Sequence, residues 1–372
     1  MKTPLCDAFG IQYPIFAFTR SPAVAAAVTR AGGLGVMGCV SYTQDQLKQH
    51  LDWVSENVDG KPFGIDVVMP AKYVGRGDIP SVEALEAMIP EEHRAFVEQL
   101  LQRHDVPTLP DGMDAYHGLL AWSVEQAGPQ IRLALEYDIK MVVNALGPPP
   151  PDIVDACHAK GVKIGALTGS VRHAQRHVEN GVDVVIAVGT EAGGHCGDVS
   201  TMVLAPEVVD AVSPAPVLVG GGIGCGRQIA AALAMGAQGV WMGSRWLVSE
   251  EAEENPVVQQ KLVSASSRDT VRSRSISGKP ARVLKTAWTE AWDATDTLDP
   301  LPLPLHFMLT AEATSRMNHY ASSGHAGAAE LLTSPVGQIV GRMNSVQSVQ
   351  QIMEELVEEL ETTLSRLGSL SG

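Results

Sequence analysis

Cysteine is scarce in this sequence of 372 residues, and the five cysteines lie far apart along the chain. The number is odd and no Cys-x-x-Cys motif occurs, so the sequence argues against a disulfide framework and against a zinc site. Aromatic residues are also few, at 5% of the chain, whereas alanine, valine and glycine dominate. Small and branched residues in that proportion are typical of an α/β protein with many tight contacts between helices and strands.

Positive charge is in short supply as well. The chain has 27 Lys and Arg against 42 Asp and Glu, which gives a formal net charge of −15. This balance argues against a nucleic-acid partner and against an anionic membrane surface. No apolar run is long enough to span a bilayer, and the first residues lack the apolar core of a signal peptide. We therefore expect a soluble, cytoplasmic protein.

What the sequence does contain is a regular alternation of apolar strand segments and helical segments. This alternation predicts right-handed βαβ units and a parallel sheet. We predict eight strands, a number that favours a closed (β/α)8 barrel, the TIM barrel, over an open sheet. The predicted strands cover residues 13–18, 34–38, 61–68, 141–145, 162–167, 182–188, 216–219 and 239–242.

Two segments depart from this alternation. Residues 69–130 are rich in proline and interrupt it between the third and fourth strands, so we interpret them as an insertion at the face where strands end. Residues from about 250 onward no longer follow it and read as a mainly helical extension. The sequence thus predicts a barrel at 1–249 and an extension at 250–372 that packs on the barrel and partly covers its mouth.

The chemistry centres on residues 182–198. An apolar, β-branched run predicts a strand buried on both faces. It is followed by a glycine-rich turn that carries His195. Glycines let the backbone approach a ligand closely, and an imidazole at the end of a buried strand is suited to acid–base chemistry.

Two further glycine clusters follow the last two predicted strands. The first covers residues 220–227 and leads into a helix, and the second is Gly243 with Ser244 and Arg245. The corresponding loops of (β/α)8 barrels commonly bind phosphate through backbone N–H groups. A dinucleotide-binding fingerprint does not fit, because the glycines come late in the βα series. We therefore predict a phosphorylated cofactor, and FMN fits, since its flavin ring would lie over the barrel.

The chain resembles the nitronate monooxygenase family, formerly called 2-nitropropane dioxygenases, whose members are FMN-dependent TIM-barrel flavoproteins. The matching stretches run in the family's order from residue 3 to about 282. They are TPLC at 3–6, YPI at 13–15, AGGLG at 31–35, KPFG at 61–64, EAGGHCG at 191–197, GGI at 221–223, GR at 226–227, MGSRW at 242–246 and SGKPAR at 277–282.

The resemblance implies that His195 is the active-site imidazole beside the flavin. It also implies cofactor-binding roles, which fall on Asp66, Gly193, Gly194, Gly221, Gly222, Met242, Gly243 and Ser244. Five positions depart from the family's pattern near the ring. Phe18-Thr19-Arg20 replaces Ala-Pro-Met, Asp66 replaces an asparagine, and Val188 replaces a glutamine.

These departures carry charge into the site. A carboxylate at Asp66 would disfavour an anionic reduced flavin, whereas Arg20 would favour it or bind an anionic substrate.

His173 and His177 lie four residues apart, a spacing that can bind a metal ion. With arginines beside both, we interpret them as a solvated helix face and predict no metal site.

The leading function is therefore an FMN-dependent oxidation of alkyl nitronates with O2. One alternative is an NAD(P)H-dependent FMN reductase acting on an enoyl thioester or a similar electrophile, because such reductases share the barrel and the Gly-Gly-His motif. A second alternative is a binding barrel without cofactor. The expected partner is a small-molecule substrate, and the sequence is compatible with a homo-oligomer.

Overall fold

The computed structural model describes residues 2–40, 42–69, 82–113 and 124–370. The parts of the predicted insertion at 70–81 and 114–123 lie outside these residues. In the described ranges the strands are β1 (Ile15–Thr19), β2 (Leu34–Gly38), β3 (Phe63–Val67), β4 (Ile139–Asn144), β5 (Lys163–Thr168), β6 (Val184–Val188), β7 (Gly194–His195), β8 (Val217–Gly220), β9 (Gly239–Met242), β10 (Thr270–Ser273) and β11 (Ala281–Leu284).

The α-helices alternate with these strands and continue beyond them. They are α1 (Pro4–Phe9), α2 (Pro22–Arg30), α3 (Gln44–Asn57), α4 (Val82–Ala87), α5 (Glu91–Arg103), α6 (Val124–Ala134), α7 (Pro151–Ala159), α8 (Val171–Glu179), α9 (Thr201–Val212), α10 (Gly226–Ala234), α11 (Pro256–Ser264), α12 (Ala287–Trp292), α13 (Leu305–Ser322), α14 (Ala326–Leu331) and α15 (Val349–Gly368). Short 3-10 turns cover Ser244–Val248 and Gln338–Arg342.

Eight parallel strands close a barrel in the order β1-β2-β3-β4-β5-β6-β8-β9, with β9 pairing back onto β1. The predicted (β/α)8 barrel is confirmed. All of its strands end at the same mouth, so loops that are far apart in sequence meet there.

The barrel interior is filled by side chains and is closed at the opposite end by α1. Phe9 of α1 packs edge-on against Phe16 of β1, with ring centroids 5.2 Å apart. Both belong to one buried apolar cluster with residues from five further barrel strands. In the described part of the chain, the barrel interior is therefore covered at this end, and the mouth lies at the carboxyl ends of the strands.

The extension packs on the barrel in two places. Helix α15 buries Ile352, Leu356 and Leu360 in one cluster with the barrel helices. Its contact with α10 is close, because a Cβ at Gly226 would lie 2.5 Å from the carbonyl oxygen of Leu356. The second place is a three-stranded sheet, in the order β10-β11-β7, that joins the extension to the loop after β6.

The described part of the insertion packs against the extension. Residues of α4 and α5 share an apolar cluster with α11 to α14. Arg316 of α13 is buried and donates to Glu98 Oε2 at 2.7 Å and to the carbonyl of Pro107 at 2.8 Å. The insertion after β3 and the mainly helical extension match the predicted architecture, while the domain boundary at residue 249 stays a prediction.

Among the described residues, no helix has the length and apolar character needed to cross a membrane. Within the same residues, no group of three or more His, Cys, Asp or Glu side chains is arranged to hold a metal ion.

Candidate active site

His195 is held at the barrel mouth by elements outside the barrel. After β6 the chain turns at Gly189, where a Cβ would lie 2.6 Å from Thr201 Cα, so only glycine fits. The next residues form β7, in which His195 pairs with Ala281 of β11. The backbone of His195 is thus fixed by a small sheet that was not predicted from the sequence.

The His195 ring is bound by a buried hydroxyl group. Its Nε2 lies 2.7 Å from Ser277 Oγ, and Ser277 is 2% exposed. The amide of Lys279 donates to the same Oγ at 3.4 Å. Within the described residues, His195 Nε2 is then the one acceptor for the serine proton. We assign the ring proton to Nδ1, which leaves a free N–H donor.

The surroundings keep this ring neutral. The residue is exposed at the cavity, and the protein atoms around the ring partly desolvate it. This desolvation, and secondly the positive charge of Lys279, lower the pKa of His195 to about 4. At neutral pH the residue is therefore an uncharged hydrogen-bonding group beside a lysine ammonium.

The cavity next to His195 has a volume of about 1060 Å³. Its walls come from the loops after β4, β5 and β6, from α8, and from Lys279 and Pro280. Val188, one of the departures from the family pattern, lines it too. A cavity of this size is large enough for a drug-sized ligand.

The glycine clusters after β8 and β9 lie beside this cavity and do not line it. Gly221 and Gly222 have φ values of +98° and +71°, which glycine adopts without strain. Within the described residues, the amides of Gly222 and Ser244 donate to no protein group, and both residues are half-buried. Free amides at adjacent strand ends can bind a phosphate, so this part of the site fits the phosphate of FMN.

Residues 336–342 contact the loops after β6 and β9, and they were not predicted from the sequence to belong to the site. The amide of Gly337 donates to Ser244 Oγ at 2.9 Å, and that of Gln338 donates to the carbonyl of Glu191 at 2.9 Å. A Cβ at Gly193 would lie 2.7 Å from Gly337 N. The signal in the sequence is two glycines four residues apart, Gly337 and Gly341, in an apolar segment.

Asp66 is placed at the top of the barrel interior, at the end of β3. Its side chain is 3% exposed, and burial raises the pKa of Asp66 well above its usual range. Burial therefore favours the protonated, neutral form of this carboxyl group. The expectation that it adds a negative charge near the ring rested on an ionised carboxylate, which the buried position disfavours.

The remaining predicted residues are distributed more widely. Arg20 forms an ion pair with Glu254 and does not line the cavity around His195. The side chain of Met242 is buried between the barrel and its helices, and its carbonyl accepts from Trp246 Nε1 at 2.8 Å. Gly243 adjoins Phe18, whose Cδ1 would lie 3.5 Å from an added Cβ.

Comparisons with known proteins agree over the whole chain. The model of the nitronate monooxygenase family matches residues 2–359. A candidate monooxygenase of Mycobacterium tuberculosis is 48% identical over 100% of this chain and 99% of its own. A candidate nitronate monooxygenase of Bacillus subtilis is 30% identical over 94% and 95%.

Two solved structures are similar throughout. The nitroalkane oxidase of Streptomyces ansochromogenes superposes with a TM-score of 0.79 at 25% identity, over 98% of this chain and 99% of that one. FabK of Thermotoga maritima gives 0.73 at 27% identity, over 100% and 99%. The protein is an oxidoreductase of the flavin-dependent, nitronate monooxygenase type, and the chain belongs to the nitronate monooxygenase family.

Proposed function

We propose that this protein oxidises anionic alkyl nitronates with O2 and that His195 is the catalytic group that binds the nitronate. The observation that carries this proposal is the imidazole of His195, which Ser277 binds at Nε2 and which lines one cavity together with Lys279. A ring with its proton on Nδ1 donates a hydrogen bond to an anion. Because its pKa is near 4, it is a poor acceptor for a proton from a neutral nitroalkane at pH 7.

The backbone amides of Gly222 and Ser244 are proposed to hold the phosphate of FMN, with Gly193 and Gly221 shaping the loops around it. Val188, Phe18 and Asp66 lie near the strand ends where the ring would rest. When bound, FMN supplies the electron-accepting ring for the oxidation. The residues of this chain bind and orient the anion and exclude water from it.

The test is oxygen consumption by the purified, flavin-loaded protein with propane-2-nitronate and with neutral 2-nitropropane. Turnover of the nitronate and little turnover of the neutral compound is the expected result. Equal rates would contradict the role given to His195. An anaerobic arm adds NADPH: rapid bleaching of the flavin by NADPH, with none by the nitronate, would assign the reductase function instead.

Replacing His195 tests the same role directly. His195→Ala should retain bound flavin, because the amides after β8 and β9 are untouched, and should lower kcat/KM for the nitronate by about 10²-fold. His319→Ala, an exposed histidine of α13, is the matched control and should behave as the unmodified protein. Unchanged kcat/KM in His195→Ala would remove the residue from the mechanism.

A further inference from the structure

The cavity beside His195 extends well past the imidazole. At about 1060 Å³ it is much larger than a nitronate of a few carbons requires. Its far wall is α8, a helix that begins at Ser170 on the cavity edge. A ligand that fills the cavity would therefore contact this wall with a portion other than its reacting carbon.

This wall is cationic. Arg172 and Arg176 lie one helical turn apart on α8, and both line the cavity together with Lys279. The carboxylates of Glu179 and Asp198 also reach it. Among the ion pairs of the described residues, none joins Arg172, Arg176 or Lys279 to a carboxylate. In a chain with 42 acidic and 27 basic residues, carboxylates are in excess, yet the described residues provide none as a partner for these cations.

Lys279 shows that the positive charge is more than a solvated surface. Its ammonium is partly buried, and desolvation lowers the pKa of Lys279 below its usual value. A half-buried ammonium without a counter-charge is costly. An anion bound in the cavity would remove that cost.

A neutral group of the same wall is also incomplete. His177 is 2% exposed and its Nε2 donates to the carbonyl of Leu167 at 3.0 Å. Its Nδ1 has no hydrogen-bond partner within the described residues. With the ring proton on Nε2, this Nδ1 is an acceptor, so it suits a hydroxyl or N–H donor of the same ligand and not its anionic group.

We propose that Arg172 and Arg176, with Lys279, bind a phosphate group carried by a ligand whose reacting end lies at His195. The inference rests on the proposed function for the position of that reacting end. Two guanidinium forks match the oxygens of a phosphate, and three positive charges suit a dianion better than a single carboxylate. The amino terminus of α8 adds partial positive charge at the same edge. The phosphate can belong to a thioester of coenzyme A or to a nicotinamide dinucleotide.

Two pairs of probes distinguish these sources by a single phosphate. Coenzyme A is compared with 3′-dephospho-coenzyme A, and NADP⁺ with NAD⁺, by calorimetric titration of the full-length, flavin-loaded protein. We expect the phosphorylated member of one pair to bind about tenfold or more tightly, as charge-assisted contacts predict. The pair that discriminates identifies the source of the phosphate.

The double variant Arg172→Gln/Arg176→Gln should bring the affinity ratio of that pair close to one. The matched control is Arg268→Gln/Arg366→Gln, which removes the same charge from two exposed arginines outside the cavity and should leave the ratio unchanged. Near-UV circular dichroism verifies that both proteins are folded.

The proposal is overturned if neither pair discriminates in the unmodified protein, or if the control lowers the ratio as much as the α8 variant. Because binding is measured without turnover, either result leaves the nitronate test of the proposed function standing. Conversely, an inactive protein that still discriminates by the phosphate would retain this subsite and lose the nitronate assignment.

Discussion

Removing the hydroxyl group of Ser277 tests how the imidazole is held. Ser277→Ala deletes the partner that lies 2.7 Å from His195 Nε2 in a position that is 2% exposed. A neutral hydrogen bond contributes about 0.5–1.5 kcal/mol, and 1.4 kcal/mol is a tenfold change in rate. We therefore expect kcat/KM for a nitronate to fall between about threefold and about tenfold. The flavin content should not change, because Ser277 is not part of the loops after β8 and β9.

Ser275 provides the matched control. It is 1% exposed, two residues from Ser277, and its Oγ has no hydrogen-bond partner within the described residues. Ser275→Ala thus removes a buried hydroxyl group of the same kind without breaking a bond. Its kcat/KM should equal that of the unmodified protein, and its stability should be equal or higher.

The assay combines steady-state kinetics with NMR of the imidazole nitrogens. In the unmodified protein the His195 proton should be on Nδ1, and in Ser277→Ala the two tautomers should both be populated. A kcat/KM for Ser277→Ala equal to that of Ser275→Ala, with the ring still in one tautomer, would refute the reasoning that Ser277 positions His195.

Three further changes follow from buried groups. Gly193→Ala should weaken FMN binding by about tenfold or more, because the added methyl would lie 2.7 Å from the amide nitrogen of Gly337 and displace the loop from the phosphate. The control is Gly368→Ala, whose added methyl would have no atom within 4 Å. Equal FMN affinities in the two variants would contradict the placement of Gly193. The stability of Asp66→Asn relative to the unmodified protein should increase as pH rises, because the raised pKa of Asp66 in the folded state makes the unmodified protein less stable at higher pH. Urea unfolding at acidic and alkaline pH measures the difference in stability between the two proteins. A difference that does not change with pH would argue against a raised pKa of Asp66. His306 is fully buried, and its pKa is lowered from 6.5 to about 4. Unfolding therefore takes up a proton in that interval, and the free energy of unfolding declines by up to about 3 kcal/mol as pH falls from 6.5 to 4. His306→Phe should show a shallower decline, and an unaltered dependence of stability on pH would exclude His306 as its source.

The barrel could be predicted because its signals are local. Each strand is a short and mainly apolar run, and the alternation with helices leaves few topologies. The position of His195 at a strand end follows from the same pattern. What holds its side chain does not, because Ser277 is 82 residues away and reaches the ring through β11 pairing with β7.

The face of α8 shows a second limit of sequence reasoning. Helical periodicity correctly indicates that His173 and His177 share a face, and that Arg172 and Arg176 do. Periodicity cannot tell whether such a face meets bulk water or a concave wall, since that depends on loops contributed by other strands. Arg172, His173 and Arg176 are exposed, as interpreted, and they also border the cavity that contains His195. The interpretation fails for His177, which is buried.

Because His195 lies in the small sheet, the reactive group and the barrel scaffold depend on different parts of the chain. The barrel strands and α1 maintain the closed scaffold, whereas the imidazole, its serine and the glycine that binds Ser244 depend on residues beyond 270. Substitutions in the extension can therefore re-aim the reactive group without disturbing any barrel hydrogen bond. For directed evolution of new substrate preferences, the exposed positions within residues 273–282 and 334–342 are those to diversify, because Val336, Ile339 and Val340 belong to a buried apolar cluster.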